Sequence, residues 1–228
     1  MLFVTPFGIL GFVLSLLGFR KSMAIAMYFI ARDWGRFVLA CIGCKLTVSG
    51  REHIPHKGGV CFVSNHSGIS DILLLLSFAG RPFGFISKKE LRFIPIVNMW
   101  IFILGGLFID RKNPRKALKT INAGVARIKS GGAMIIFPEG HRSRGRGLLP
   151  FHPGSLKLAT QSEAVIVPVA ITGTYELFEK NNRVNPYPLS IRFCKPINTV
   201  DIPVADRKVI LSDQIYAVIN EALIAQNS

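Results

Sequence analysis

Residues 105–140 read GGLFIDRKNPRKALKTINAGVARIKSGGAMIIFPEG, and the rhythm of this stretch decides the fold class. The apolar run at 106–110 has strand length and ends abruptly in Asp110 and Arg111. Asn113 can cap a helix, Pro114 suits the first helical position, where no N–H is needed, and Gly131-Gly132 ends it. Ala117, Ile121, Val125 and Ile128 recur at helical spacing and predict a buried stripe over 114–130. A second apolar run, 133–137, follows and again gives way to charge at Glu139. Strand, helix and strand in that order predict parallel strands joined by a helical crossover.

The same alternation extends outward. Short apolar runs predict further strands near 45–49, 60–64, 83–87, 165–171 and 189–194. Helical patterns lie near 69–79, 95–104, 154–162 and 206–225. Together they specify an α/β fold: a layered, mixed and largely parallel sheet flanked by helices. At 228 residues the chain can bury a full core without a disulfide or metal staple. No internal repeat or low-complexity linker interrupts it.

Residues 1–44 have a different character. Leu2 to Phe19 carries no charge and is closed by Arg20-Lys21. At ~1.5 Å per residue the run reaches about 27 Å, short of a ~30 Å hydrocarbon core. No basic region precedes it and no small-residue cleavage site follows, unlike a signal peptide. Met23 to Gly43 is also apolar but holds Arg32, Asp33 and Arg36, which disfavour a second clean span. The expectation is an N-terminal membrane-associated helical hairpin over 1–44, dipping into one leaflet, ahead of an α/β domain over 45–228. A pair of core helices would produce the same composition.

A formal net charge of +15 and a pI near 10.2 call for an anionic partner. Between residues 41 and 150 there are 17 Lys or Arg but only five acids. Anionic membrane lipid fits both this charge and a mean hydropathy of +0.39. Nucleic acid fits the charge alone, since no nucleic-acid motif is present and the apolar N-terminus would have no purpose. Cys41-x-x-Cys44 and His53-x-x-His56 resemble a zinc pattern superficially. Their spacing is too short for a finger and the cysteines lie in an apolar run, so buried thiols are expected and no metal.

Residues 63–71, VSNHSGISD, place His66 five positions before Asp71. Five helical residues turn by about 500°, which leaves the two side chains some 140° apart. They meet only if His66 occupies the turn after strand 60–64 and Asp71 opens the following helix. Asp71 would then accept from the imidazole Nδ1–H and leave Nε2 free to take a proton. A plainer account has Ser67 or Ser70 capping a helix with an acid in its first turn. Composition alone supplies roughly 0.13 such pairs by chance. Three charged turns nonetheless follow apolar strands: 65–71, 110–112 and 138–143. Open α/β sheets bind ligands beyond such strand ends, so the three should share one rim.

NHSGISD (65–71), GGLFIDR (105–111), FPEGHRS (137–143) and VIVPVA (165–170) resemble the four ordered blocks of the 1-acyl-sn-glycerol-3-phosphate acyltransferase family. Ser87-Lys88-Lys89-Glu90-Leu91 is similar to that family's K-x-E-L segment. The resemblance covers roughly residues 45–195. It implies transfer of a fatty acyl chain from acyl-CoA or acyl carrier protein to the sn-2 hydroxyl of a lysophospholipid, giving phosphatidic acid. His66 would then be the general base and Asp71 its partner, with no cofactor. It makes Arg111 a phosphate ligand and adds Glu139, Gly140, Arg142 and Ser143 to the acceptor site. An amide near Gly140 would be placed to meet the oxyanion. Lys88 fits phosphate binding and a solvated surface equally well. The family more often has Thr where His141 stands. His152 is expected at the surface, and Pro168 is expected to shape a strand end. A different lysolipid acceptor, such as a lyso-ornithine lipid, fits the same blocks. The implied location is the cytoplasmic face of a bacterial inner membrane.

Overall fold

A computed structural model describes residues 5–152, 154–203 and 207–227. Its sheet has strands β1 (Leu46–Ser49), β2 (Val60–Ser64), β3 (Gly84–Lys88), β4 (Leu107–Ile109), β5 (Ala133–Ile136), β6 (Val165–Thr172), β7 (Leu189–Phe193) and β8 (Ile197–Asn198). The order across the sheet is β1-β7-β6-β2-β5-β3-β4, with β8 also on β6. From β6 to β4 every pairing is parallel. β7 runs antiparallel to β6 and parallel to β1. This is the layered, largely parallel α/β sheet that the sequence specifies.

Among the described residues, eight α-helices surround it: α1 (Thr5–Leu14), α2 (Arg20–Ile42), α3 (Asp71–Phe78), α4 (Pro95–Ile103), α5 (Pro114–Lys129), α6 (Lys157–Ser162), α7 (Thr174–Leu177) and α8 (Arg207–Asn227). β2 is buried at every position and divides its side chains between two cores. Val60 and Phe62 join Tyr28, Leu74, Leu75 and Ile103 on one face. Cys61 and Val63 join Ile128, Leu158, Leu211 and Ile215 on the other. Strand periodicity of two makes this division, and parallel strands need both faces covered.

The helix over 114–129 starts as expected: the Asn113 side chain accepts from the Lys116 N–H at 3.1 Å. Two expected helices begin later. α3 starts at Asp71 rather than at 69, and α6 starts at Lys157 because 154–156 form turns instead. The expected start of the last helix at 206, and residues 2–4 of the first apolar run, lie outside the described residues. β8 and α7 have no counterpart in the expectations. Pro168 sits inside β6 rather than at its end. Its carbonyl accepts from the Cys194 N–H, between the β7 and β8 pairings. The missing proline donor therefore falls where the neighbouring strand changes.

Residues 5–42 together have the length and composition of a membrane-crossing helix, but Gly18 (φ 100°) breaks the run. α1 folds back along α2. A Cβ on Gly11 would meet the Met27 side chain at 2.9 Å, and one on Gly8 would meet Met99 on α4 at 2.6 Å. Phe12 and Phe102 pack edge to face at 5.5 Å. α2 buries Met27, Tyr28, Ala31, Gly35 and Leu39, a stripe at helical spacing that belongs to the main core. α1 and the turn after it leave Phe7, Ile9, Leu10, Val13, Leu16, Leu17 and Phe19 exposed. The expectation of buried thiols holds for Cys61 and Cys194. Cys41 is exposed near the end of α2, and Cys44 just beyond it is half-buried against the main core. A ring nitrogen of His53 lies 2.9 Å from the Phe193 carbonyl oxygen.

Candidate active site

The parallel strands β6, β2, β5, β3 and β4 all end on one rim. Their C-terminal turns carry, in that spatial order, Thr174, His66, Glu139, Lys88 and Arg111. The turn after β2 is pinned first. Asn65 is buried. It donates to the Ile171 carbonyl at 2.9 Å and accepts from the Ile171 N–H at 2.8 Å, extending the β2–β6 ladder by a side chain. His66 therefore leaves the sheet in a fixed direction.

His66 Nδ1 lies 2.6 Å from Asp71 Oδ2. Asp71 is fully buried, yet both its oxygens are satisfied. Oδ2 also accepts from the Gly68 N–H at 3.1 Å, and Oδ1 accepts from the Thr174 hydroxyl. A buried carboxylate without such donors would be strongly disfavoured. With Asp71 Oδ2 as the acceptor, the proton of a neutral His66 ring sits on Nδ1. The imidazole stacks on Phe137, with ring centroids 4.1 Å apart. Its side chain is 20% exposed, and no protein group among the described residues bonds Nε2.

Glu139 clamps this turn from the next strand. Its Oε1 accepts from the His66 N–H at 2.6 Å and its Oε2 from the Leu149 N–H at 3.0 Å. The side chain is fully buried, and burial pushes its carboxyl above the usual range, against the two amides that hold it down. Ser143 is buried too. Its N–H donates to the His66 carbonyl at 2.7 Å, and the Arg144 N–H donates to that of Ser67 at 3.1 Å. The 138–146 loop is thus laced to the His66 turn through main-chain groups.

The cations surround this centre. Arg111 Nη1 donates to the Gly140 carbonyl, one residue from the clamp on His66. The Gly140 N–H is itself engaged, donating to Phe137 at 3.1 Å. Lys88, Glu90, Asp110, Arg111 and Lys112 line a cleft of about 430 Å³. Lys89, rather than Lys88, pairs with Asp110 at 2.9 Å. That pair, together with the Lys112 N–H, holds the Asp110 carboxyl below its usual range. Arg142 Nη1 pairs with Glu179. His141 and His152 are exposed, with ring centroids 5.9 Å apart, and a Cβ on Gly140 would strike His152 Cδ2 at 2.6 Å. His152 is therefore at the surface and also beside the site.

All eight residues singled out in the sequence lie on this rim. His66 and Asp71 touch, Arg111 and Arg142 flank them, and Lys88 lines the Arg111 cleft. Glu139 and Ser143 face inward and act through main-chain hydrogen bonds. Asn65, Phe137, Thr174 and Glu179 escaped the sequence reading. Asn65 and Phe137 adjoin recognised residues and could have been found by asking what fixes the His66 turn.

Removing the clamp has a definite cost. Glu139→Ala leaves the His66 and Leu149 amides without their acceptor, at ~1–3 kcal/mol each if water does not replace it. Its midpoint of chemical denaturation should fall by the equivalent of about 2–6 kcal/mol. The carboxyl is raised in the fold, so its contribution is greatest below the unfolded-state value and declines as pH rises through the folded one. The gap between wild type and variant should therefore be wider at about pH 5 than at about pH 8.

Comparison with known proteins places this rim in context. A family model described as Acyltransferase matches residues 45–172. A 1-acyl-sn-glycerol-3-phosphate acyltransferase of Cocos nucifera is 34% identical over 170 residues, covering 73% of this chain and 54% of the relative. The enzyme of that name from Salmonella typhimurium is 36% identical over 144 residues, covering 63% and 56%. The chain thus spans a little over half the length of these relatives. The crystal structure of the 1-acyl-sn-glycerophosphate (LPA) acyltransferase PlsC from Thermotoga maritima superimposes with a TM-score of 0.80. It is 24% identical, with 96% of this chain and 94% of that one covered. That likeness establishes a shared fold.

Proposed function

The chain belongs to the acyltransferase family, and on that premise we propose that it moves a fatty acyl chain from acyl-CoA or acyl carrier protein to the sn-2 hydroxyl of 1-acyl-sn-glycerol-3-phosphate, giving phosphatidic acid. His66 Nε2 accepts the hydroxyl proton as the oxygen attacks the thioester carbonyl. Asp71 holds the imidazole and stabilises the imidazolium that forms. The tetrahedral intermediate collapses with cleavage of the C–S bond, and the departing thiolate takes the proton back from His66. The balance closes without a cofactor or an enzyme nucleophile. The observation that carries this reading is the 2.6 Å contact between His66 Nδ1 and a buried Asp71, with Nε2 unbonded by any of the described residues, on a rim that also carries two guanidiniums.

Arg111 suits the acceptor phosphate because it is exposed, lines the cleft and has a planar fork that can engage two oxygens. Arg111→Ala should raise the KM for lysophosphatidate by ~10–100-fold, the range of a charge-assisted hydrogen bond, with a smaller change in kcat. Equal kinetics in variant and wild type would remove Arg111 from the site. The exposed apolar face of α1 and the basic rim fit an anionic bilayer surface, where acceptor and product reside. On this reading, soluble thioester donors favour the cytoplasmic side of a bacterial inner membrane for that surface.

A donor-by-acceptor matrix on the purified full chain, read as free thiol and as phosphatidate, tests the reaction. Thiol release dependent on lysophosphatidate and equimolar with phosphatidate is the expected result. Transfer to a lyso-ornithine lipid but not to lysophosphatidate would replace the acceptor. No transfer with any lysolipid would overturn the proposal.

A further inference from the structure

The matched family region stops at residue 172, yet the next seven residues hold the site through Asp71, Ile69 and Arg142. Gly173 turns the chain at the end of β6 with φ 84°, and a Cβ there would come within 2.1 Å of the Pro188 carbonyl oxygen. That tight turn brings Thr174, fully buried, against Asp71. Its hydroxyl is the donor to Asp71 Oδ1, while His66 and Gly68 share Oδ2. Without the hydroxyl, a buried carboxylate oxygen would have no donor. Further along, Glu179 uses both oxygens. One pairs with Arg142 Nη1, and the other accepts from the Ile69 N–H at 2.5 Å. The segment closes over Gly68 so tightly that a Cβ there would meet both Glu179 Oε2 and the Thr174 carbonyl oxygen at 2.9 Å.

We propose that residues 173–179 are a second support of the active site, in which Thr174 positions the His66–Asp71 pair and Glu179 positions the Arg142 guanidinium for the acceptor's phosphate. The inference rests on the acyl-transfer reading above and deepens it. Glu179 fixes one end of a guanidinium whose side chain is 36% exposed, leaving its outer donors for an anion. It also ties that cation to the residue after Gly68, so the phosphate arm and the base turn move together. The two residues therefore act on different kinetic parameters. Thr174 supports charge at the base as the proton moves, whereas Glu179 preorganises binding.

The test is steady-state kinetics of the purified full chain, with lysophosphatidate varied at saturating acyl-CoA. Thr174→Val keeps the shape and removes the donor, and Thr174→Ser restores it. Glu179→Gln retains an acceptor for Ile69 but removes the charge that holds Arg142. Thr174→Val should lower kcat by ~10–100-fold with KM within about twofold, and Thr174→Ser should keep kcat within about threefold of wild type. Glu179→Gln should raise the acceptor KM by ~10-fold with kcat within about threefold. Wild-type kcat in Thr174→Val, or wild-type KM in Glu179→Gln, would overturn the inference. So would parallel losses of kcat and KM that track a lowered thermal midpoint, the signature of a purely structural clamp. Should Thr174→Val not fold, Thr174→Ala takes its place as the variant without the hydroxyl: a Ser variant as impaired as Thr174→Ala would overturn the inference, and a Ser variant near wild type beside an impaired Thr174→Ala and a raised KM in Glu179→Gln would support it. His66→Ala in the same assay separates the layers. An active His66→Ala removes the base reading itself, whereas an inactive one beside a normal Thr174→Val removes only this inference.

Discussion

Replacing His66 with Ala should lower kcat by ~10²–10⁴-fold, the usual contribution of a positioned general base, while the variant is expected to stay folded and to keep its affinity for the proposed acceptor. The fold should survive because the turn is held by main-chain groups that Ala retains. The N–H at position 66 still reaches Glu139 Oε1, and the carbonyl still receives the Ser143 N–H. Asp71 loses one of three donors but keeps Gly68 and Thr174. The packing loss is the Phe137 stack, around a ring that is one-fifth exposed. Acceptor KM should change little, since Arg111 and Arg142 bond to Gly140 and Glu179, not to the imidazole. Single-turnover acyl transfer, with lysophosphatidate affinity measured separately, checks both halves. Full activity in the variant would rule out His66 as the base.

The contrast between His66 and Thr174 explains which parts of the molecule are legible in a sequence. The strands, the α5 cap and the rim of charged turns follow from short-range signals: apolar runs, a proline, paired glycines and abrupt charge. His66 and Asp71 are five positions apart, so a turn and one helical step suffice to predict their meeting. Thr174 lies 103 positions from its partner Asp71, and Thr after Gly in a sequence reads as an ordinary helix start. Glu179 stands among the polar residues of a loop, where its charge is indistinguishable from that of any solvated surface acid. Only the parallel placement of β6 beside β2 brings both to the turn.

The N-terminal region was ambiguous for another reason. The stripe Met27, Tyr28, Ala31, Gly35, Leu39 of α2 faces the protein core, while Phe7, Leu10 and Leu17 before it face outward. Apolar side chains satisfy a protein interior and a lipid phase equally, so composition does not tell one from the other. What separates them is the break at Gly18, a residue whose left-handed backbone a hydropathy profile does not register. That break turns one apparent span into a helix with a buried stripe and a short helix with an exposed apolar face.

Asp71→Asn tests the charge of the pair apart from its geometry. Asn has the same shape, and its amide can sit in the pocket in two ways. If the NH₂ replaced Oδ2 it would oppose the Gly68 N–H, 3.1 Å away, and would force His66 Nδ1 to accept. If the carbonyl oxygen replaces Oδ2, Gly68 and His66 Nδ1–H both keep an acceptor. The NH₂ then faces Thr174, whose hydroxyl can turn and accept. The Gly68 amide selects the second arrangement, so the imidazole keeps its tautomer and Nε2 remains the basic nitrogen. What disappears is the negative charge facing the imidazolium as it forms. At ~4 Å and an effective dielectric near 20, that charge is worth about 4 kcal/mol, or ~10³-fold in rate. A kcat lower by ~10²–10³-fold with unchanged acceptor KM is therefore expected. Thr174→Val should cost less in this background than in wild type, because the hydroxyl no longer supports a buried charge. A near-wild-type kcat for Asp71→Asn would mean that the carboxylate only orients the ring. Strict additivity with Thr174→Val would mean that the hydroxyl does not act through Asp71.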